Sequence, residues 1–304
     1  MDRHPYQIGI DLGGTKIEAI LLDPHSGILH RHRLPTPRNP DSEAEYEAIC
    51  AAVHQLIRDT MARIPAQGHC TIGVGIPGTI NSQTNRVQNA NTTCLIGKHF
   101  QQELQARLGR PIGMENDANC FTLAEARQGA VRGYGLVFGI IMGTGCGGGI
   151  CLNGRLHRGR HLIGGEWGHF SVDPRGETCY CGNPGCIETK ISGGGVARAF
   201  YKKYGRHLTL EEIIQGFRQE RDAQCVEAFE QFLDDFGRCV GGLISLLDPD
   251  ALVLGGGLSN IEELYSLGVE RVRHYAFHQH IQTPILKNQL GDSAGVYGAA
   301  WIGK

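Results

Sequence analysis

Ile8-Gly-Ile-Asp-Leu-Gly-Gly-Thr-Lys16 reads as a short buried strand that turns on Gly13-Gly14 and returns through Ile17 to Asp23 as a second strand. The same pattern restarts far downstream. Leu136 to Met142 is an apolar strand, Gly143-Thr-Gly-Cys-Gly-Gly-Gly149 a glycine turn, and Ile150 to Leu156 a returning strand. A strand, glycine turn and strand that occur twice predict two related halves with a cleft between them. The expected division is a small α/β domain of residues 1–117 plus 289–304 and a larger one of residues 118–288.

Between and after these hairpins, alternation of apolar runs and helical spacing continues the α/β pattern. Strands are expected at Ile28–Leu34, Thr71–Pro77, Pro111–Asn116, Ala251–Leu254 and near 284–287. Helices are expected over 42–64 from a Ser42 cap, over Phe100–Leu108, and from Ala118 with Asp117 as its N-cap. Others are expected at 194–204, 209–216, 221–247, near 261–277, and over Ser293–Ile302.

With 304 residues, of which 41% are hydrophobic and 20% charged, the chain is long enough for one large or two medium cores, and two are expected. The 29 basic and 31 acidic residues leave a formal charge of -2 and no electrostatic footprint for nucleic acid or an anionic membrane. No signal-peptide pattern and no bilayer-length apolar run is present, so a cytoplasmic protein acting on small molecules is expected. In that compartment the 11 cysteines read as reduced thiols and metal ligands rather than disulfides. Cys50, Cys70, Cys225 and Cys239 look like ordinary core residues.

His169, Cys179, Cys181 and Cys186 lie within eighteen residues. One imidazole and three thiolates suit a tetrahedral zinc, and four protein ligands leave no open position, so the ion would be structural rather than catalytic. Gly182-Asn-Pro-Gly185 supplies the turn that brings Cys186 back. A loop of free cysteines, or a Cys179–Cys186 disulfide, is the alternative.

The 44 glycines cluster where backbone can approach a ligand. In Asp11-Leu-Gly13-Gly14-Thr15-Lys16, amides approach anionic oxygens, Thr15 adds a hydroxyl, and Asp11 is a candidate holder of hydrated magnesium. Taken alone it is only a hairpin turn. Gly143-x-Gly145-x-x-Gly148 satisfies a dinucleotide fingerprint formally, but that fingerprint needs a helix after the glycines and a strand is expected there. No Walker A sequence is present. Two glycine hairpins, with Gly255-Gly256-Gly257 near the purine or ribose, suit ATP binding without a P-loop.

Taken together, Asp11–Lys16, Gly143–Gly149, Gly164-Gly-Glu-Trp-Gly-His169, the cysteine cluster and Leu254-Gly-Gly-Gly257 resemble the ROK family of sugar kinases and repressors, over nearly the whole chain. Arg31-His-Arg-Leu-Pro-Thr-Pro-Arg38, Asn89-Ala-Asn-Thr-Thr93 and Gly291-Asp-Ser-Ala-Gly-Val296 resemble its bacterial fructokinase, or manno(fructo)kinase, branch. The resemblance implies an α/β, actin-like ATPase fold of hexokinase type, ribonuclease H-like, in two domains with a central cleft. It also implies a homodimer and phosphorylation of a hexose 6-hydroxyl by ATP with Mg2+. ATP contacts are implied at Gly9, Asp11, Gly13, Gly14, Thr15, Lys16, Gly143, Thr144, Gly145, Cys146, Gly147, Gly148, Gly255, Gly256 and Gly257. For Lys16, a surface lysine after a turn is an equal alternative.

A hexose needs carboxylates, amides and imidazoles converging from several segments. Asn116, Asp117, Glu166, His169 and Glu188 match the family's sugar-contacting positions, with Gly78 and Asn91 as weaker additions. Asp117 is the expected general base, because transfer needs a carboxylate in reach of the attacking hydroxyl; a helix cap is its compatible structural role, and Glu166 has a solvated loop acid as its alternative. His169 is claimed twice: with Nδ1 on zinc, its other nitrogen keeps the proton to offer a sugar. D-fructose is the expected acceptor. N-acetylglucosamine, mannose or glucose is the alternative, and a sugar-responsive repressor, which would carry a winged helix before residue 8, a remote one.

Overall fold

In the structure of the protein, a computed structural model, residues 5–278 and 280–304 are described. The first half opens with β1 (Tyr6–Leu12), β2 (Lys16–Leu22) and β3 (Ile28–Pro35), followed by α1 (Ser42–Met61) and β4 (Cys70–Ile76). Two short strands, β5 (Thr79–Ile80) and β6 (Val87–Gln88), then α2 (Phe100–Leu108), β7 (Gly113–Asn116) and α3 (Asp117–Gln128) complete it. The sheet order is β3-β2-β1-β4-β7, with β2 antiparallel to both β1 and β3, and β4 and β7 added parallel to β1. α1 packs Tyr46, Ile49, Val53, Leu56 and Ile57 into this core, at helical spacing, and its first turn is capped by Asp41, one residue before the expected Ser42.

The second half repeats that plan. β8 (Leu136–Met142), β9 (Cys146–Leu152) and β10 (Arg155–Leu156) are antiparallel neighbours. After α4 (Ile187–Ile191), α5 (Gly193–Tyr204), α6 (Leu210–Arg218) and α7 (Ala223–Leu247) come β11 (Ala251–Gly255), α8 (Leu267–Tyr275) and β12 (Ile285–Lys287). The order β10-β9-β8-β11-β12, with β11 and β12 parallel to β8, is the same topology a second time. Two sheets of this order make the α/β, ribonuclease H-like architecture of the actin-like ATPases. The returning strand begins at Cys146, earlier than the expected Ile150, because only Gly143, Thr144 and Gly145 are needed to reverse the chain. A strand, not a helix, follows these glycines, which is why the dinucleotide fingerprint does not apply.

The chain ends in α9 (Ala294–Trp301), whose small residues have a physical reason. Gly9, Gly73 and Gly113 are register partners across β1, β4 and β7. A Cβ on Gly9 would stand 2.1 Å from the Val296 carbonyl oxygen, one on Gly73 1.9 Å from that of Ala299, and one on Gly113 2.0 Å from that of Ile302. The helix therefore rests on bare backbone. From its other residues, a Cβ on Gly298 would meet the Cys120 carbonyl of α3 at 1.9 Å, and one on Gly295 would meet Asp11 Oδ2 at 2.9 Å. Gly9, expected beside ATP, is thus a buried β1 residue whose missing side chain is explained by α9.

The described residues gather into two compact units: residues up to Ala124 with His157–Gly164 and Asp292–Lys304, and Glu125–Leu156 with Gly165–Gly291. The change between them falls inside α3, later than the expected 117/118, and 157–164 joins the first unit through Arg158, whose guanidinium pairs with Glu115. No described helix is long and apolar enough to cross a membrane.

Replacing Gly73 by Ala forces a methyl into the Ala299 carbonyl, and overpacking of this kind costs about 1–3 kcal/mol. Gly242, exposed within α7 with open space at its Cβ, is the control; Gly242→Ala is expected to stabilise by about 0.5–1 kcal/mol. Urea unfolding of both variants measures the opposite signs.

Candidate active site

In the first unit, Asp11 lies near the end of β1, just before the glycine turn. Gly13 N–H bonds the Lys16 carbonyl at 2.9 Å, Thr36 Oγ1 donates to the Gly13 carbonyl at 2.7 Å, and Arg38 donates to the Gly14 carbonyl. Thr36 and Arg38 fasten the turn from β3's end, a role with no local signature in the sequence. Lys16 Nζ lies 3.8 Å from Asp292 on the surface, a weak pair at that exposure. Burial, reinforced by the charges of Asp117 and Glu18, raises the Asp11 carboxyl to about 7.

At the β7–α3 junction, Asn116 Oδ1 accepts from Ala118 N–H at 2.9 Å and Asn119 N–H at 3.2 Å. Asn116 is therefore the cap expected of Asp117, and Asp117 is the first helical residue. The amide of Asn116 also donates to the Gly78 carbonyl at 3.1 Å. Gly78 has φ of 125°, and a Cβ there would meet the Gln88 carbonyl at 2.8 Å, so this turn admits only glycine without strain. Asn91 is exposed nearby in sequence, on the segment after β6.

Asp117 Oδ1 accepts from Ala118 N–H at 2.8 Å. Burial raises its carboxyl to about 6, against the lowering effect of backbone N–H groups and the Asn116 side chain. A base poised near neutrality can take a proton from a hydroxyl. Glu115, beneath it, accepts from Asn116 N–H at 3.0 Å, from Asn119 Nδ2 at 2.9 Å and from Arg158. Nothing local to Glu115 or Arg158 marks this support in the sequence, because they are forty-three residues apart.

In the second unit, Gly143 N–H bonds the Gly145 carbonyl at 2.9 Å, and the Gly143 carbonyl accepts from Gly193 N–H at 2.8 Å, joining the turn to the start of α5. The space at the Gly143 Cβ position is open, whereas a Cβ on Gly145 would meet Glu188 Oε2 at 2.6 Å. Thr144 presses its carbonyl against Gly194. Cys146, Gly147 and Gly148, expected in the turn, belong to β9: Cys146 N–H donates to Glu188 Oε2 at 3.0 Å, the Gly147 carbonyl accepts from Trp167 Nε1 at 3.3 Å, and Trp167 occupies the place of a Gly148 side chain. Their small size fits the packing of neighbouring protein. At the end of β11, Gly255 is buried and Gly256 has φ of 77° with Met142 where its Cβ would be, while Gly257 faces open space.

Gly164-Gly-Glu-Trp-Gly-His crosses β9 at close range. A Cβ on Gly165, at φ of 100°, would strike the Gly148 carbonyl, and one on Gly168 the Cys146 carbonyl at 2.0 Å. This passage delivers half-buried Glu166 and His169 to the cysteine loop. There the ligand atoms of His169, Cys179, Cys181 and Cys186 all lie within 4.8 Å of one another. Cys181 Sγ and Cys186 Sγ are 3.5 Å apart, and Cys179 Sγ is 3.6 Å from His169 Nδ1. A tetrahedral ion with sulfur at about 2.3 Å requires edges near these lengths.

Burial, with Cys181 and Cys179 alongside, pushes the Cys186 thiol up to about 12. Burial also opposes ionisation of Cys181, but the Asn183 N–H and the neighbouring thiols outweigh it and hold that group below its usual range. Tyr180, between two of the cysteines, places its hydroxyl 3.0 Å from His169 Nε2.

The family model that matches, over residues 7–304, is that of the ROK family. The N-acetyl-D-glucosamine kinases of Pectobacterium atrosepticum and Escherichia coli are 37% and 35% identical to this chain over 97% of its length, and 97% and 98% of theirs. Among solved structures, a ROK hexokinase from Thermus thermophilus superposes with a TM-score of 0.83 at 30% identity, covering 98% of this chain and 97% of that one. A ROK family glucokinase from Streptomyces griseus, in complex with glucose and AMPPNP, gives 0.78 at 29% identity, covering 98% and 99%. With the duplicated sheets, the glycine turns and the His/Cys loop all present in one chain of matching length, the protein belongs to the ROK family, as a sugar kinase.

Proposed function

We propose that the protein transfers the γ-phosphoryl group of ATP in line to the 6-hydroxyl of a hexose, with Asp117 as general base. The observation that carries this is the Asp117 carboxylate at the head of α3, which accepts from Ala118 N–H through Oδ1 and is raised by burial to about 6. The 6-hydroxyl proton passes to Asp117 as that oxygen bonds to the γ-phosphorus and ADP departs. Asp11 would hold hydrated magnesium, which would supply positive charge to the developing phosphate. Asp11's raised carboxyl suits that role, since a buried acid ionises when a cation stands beside it. ATP is assigned to the turns at Gly13–Lys16 and Gly143–Gly145 and to Gly256-Gly257; the AMPPNP in the similar glucokinase supports a nucleotide. Under this proposal the hexose contacts are Gly78, Asn91, Asn116, Asp117, Glu166, His169 and Glu188.

The donor set of His169, Cys179, Cys181 and Cys186 fits zinc, and zinc bound there would cross-link the loop without taking part in the transfer. Glu188, two residues beyond Cys186, is positioned by the same loop. The eleven free thiols suit the reducing cytoplasm, where ATP is made, and the family resemblance supports a homodimer.

D-fructose is the acceptor favoured by Asn89–Thr93, which follows β6 where the Gly78 turn packs on Gln88 and Ala90. The other two fructokinase-like segments carry less weight than their similarity suggested. Arg31 and Arg33 pair with the buried Glu18, and Arg33 Nη2 donates to Ser293 at 3.0 Å, so these residues serve one ion cluster. N-acetyl-D-glucosamine is a second reading, favoured by the names of the curated relatives.

Four sugars, D-fructose, N-acetyl-D-glucosamine, D-mannose and D-glucose, compared by kcat/KM in a coupled ADP-release assay, decide the acceptor; D-fructose is expected to lead, and a higher value for N-acetyl-D-glucosamine replaces it. Asp117→Asn is expected to lower kcat by about 10²–10⁴-fold with the fold intact by circular dichroism. Because the base works only when deprotonated and its carboxyl lies near 6, kcat/KM is expected to be level above that pH. Below it, the value should fall about tenfold per unit. Stripping zinc with a chelator, or Cys181→Ser, is expected to weaken sugar binding and thermal stability more than nucleotide binding, as read by calorimetric titration of each ligand.

A further inference from the structure

We propose that Tyr180 gates the sugar-binding nitrogen of His169 and thereby sets the affinity for the acceptor. This rests on the assignment of His169 to the hexose. The geometry lies wholly within the cysteine loop. His169 turns Nδ1 toward Cys179 Sγ at 3.6 Å and Nε2 toward the Tyr180 hydroxyl at 3.0 Å, with the two rings edge to face at 5.1 Å. With Nδ1 on zinc, as assigned above, the imidazole proton is on Nε2 and donates to the Tyr180 oxygen. A single N–H directs one strong hydrogen bond. A hexose hydroxyl that takes this donor must displace the tyrosine.

Tyr180 is built to be displaced. The residue is 62% exposed, so its ring can turn into solvent without opening a cavity in the core. It lies between Cys179 and Cys181, and zinc bound by them would keep it beside the imidazole when it returns. Sugars that offer a well-placed hydroxyl to Nε2 recover the bond that the tyrosine gives up; those that do not leave the gate shut. Tyr180 is accordingly a positioning and specificity residue that touches no reacting atom.

The test uses the full-length, zinc-loaded protein, with D-fructose and N-acetyl-D-glucosamine as probes in calorimetry without nucleotide. Tyr180→Phe is expected to tighten sugar binding by about fivefold, the worth of one ordinary hydrogen bond. The sugar KM should fall in parallel, while kcat, the KM for ATP and zinc content by elemental analysis stay unchanged. Tyr180→Leu, which also lacks the ring, should move the same way. Unchanged or weaker sugar binding in both variants at full zinc content overturns the gate. His169→Cys separates the two layers of inference, since a four-cysteine site still holds zinc. If this variant keeps zinc and binds sugar as the parent does, His169 is not a sugar contact and the gate falls with it. If it loses sugar binding while the Tyr180 variants change nothing, only the gate falls.

Discussion

No side chain fits between α9 and β1, β4 and β7 where Gly9, Gly73 and Gly113 face it, although Val296 and Ala300 pack on Ile20 and Leu22 of β2. Gly9, Gly73 and Gly113 clear a stripe across three adjacent strands, and the helix lies on it backbone to backbone. That close approach gives dispersion contact to every atom on both sides, and it leaves no slack for the helix to slide. Its consequences reach the chemistry of the first unit. Gly295 brings α9 against Asp11, and Gly298 brings it against the Cys120 carbonyl of α3, the helix that begins at Asp117. The two carboxyls therefore owe their shared surroundings to residues near the C-terminus that carry no polar side chain at all.

Around this contact, the carboxylates divide by whether a cation already answers them. Glu18 is buried with Arg31 and Arg33, and Glu115 with Arg158, each oxygen having a donor. These pairs hold backbone and loops in place, as buried ion pairs must when their lone pairs are filled. Among the described residues Asp11 and Asp117 bond no such arginine, and burial raises both toward neutrality. Ionising them costs the native state something that a cation, a phosphate-bound metal or a substrate proton can return. Groups left in this condition are the ones a phosphoryl transfer can use.

In the second unit the equivalent economy is one of backbone. Gly165 and Gly168 let the Glu166–His169 passage lie on β9, and Gly185 folds the cysteine loop against the Asp173 carbonyl. Three thiols and one imidazole then converge, and Glu188 is tied back to Cys146 N–H. A single closed metal site would stiffen all of these at once, which explains why residues claimed for the sugar, Glu166, His169 and Glu188, flank those claimed for the metal.

Much of this was legible in the sequence because it is local. Strand, glycine turn and strand at Ile8 and again at Leu136 announced the duplication, helical spacing located α1, α2 and α7 closely, and the His/Cys spacing named a ligand set that the folded chain does bring together. What only the tertiary structure decided was the purpose of residues whose partners are distant. A glycine shows that space is wanted but not by what: at Gly9 it is α9, at Gly148 it is Trp167, and at Gly143 it is open. The cap of α3 passed from Asp117 to Asn116 because a hydrogen bond depends on direction as well as sequence position. Thr36, Arg38, Arg158 and Tyr180 acquired roles for the same reason. Periodicity and ligand spacing are properties of neighbours along the chain, whereas occupancy of space and the pairing of buried charge exist only once the chain has closed on itself.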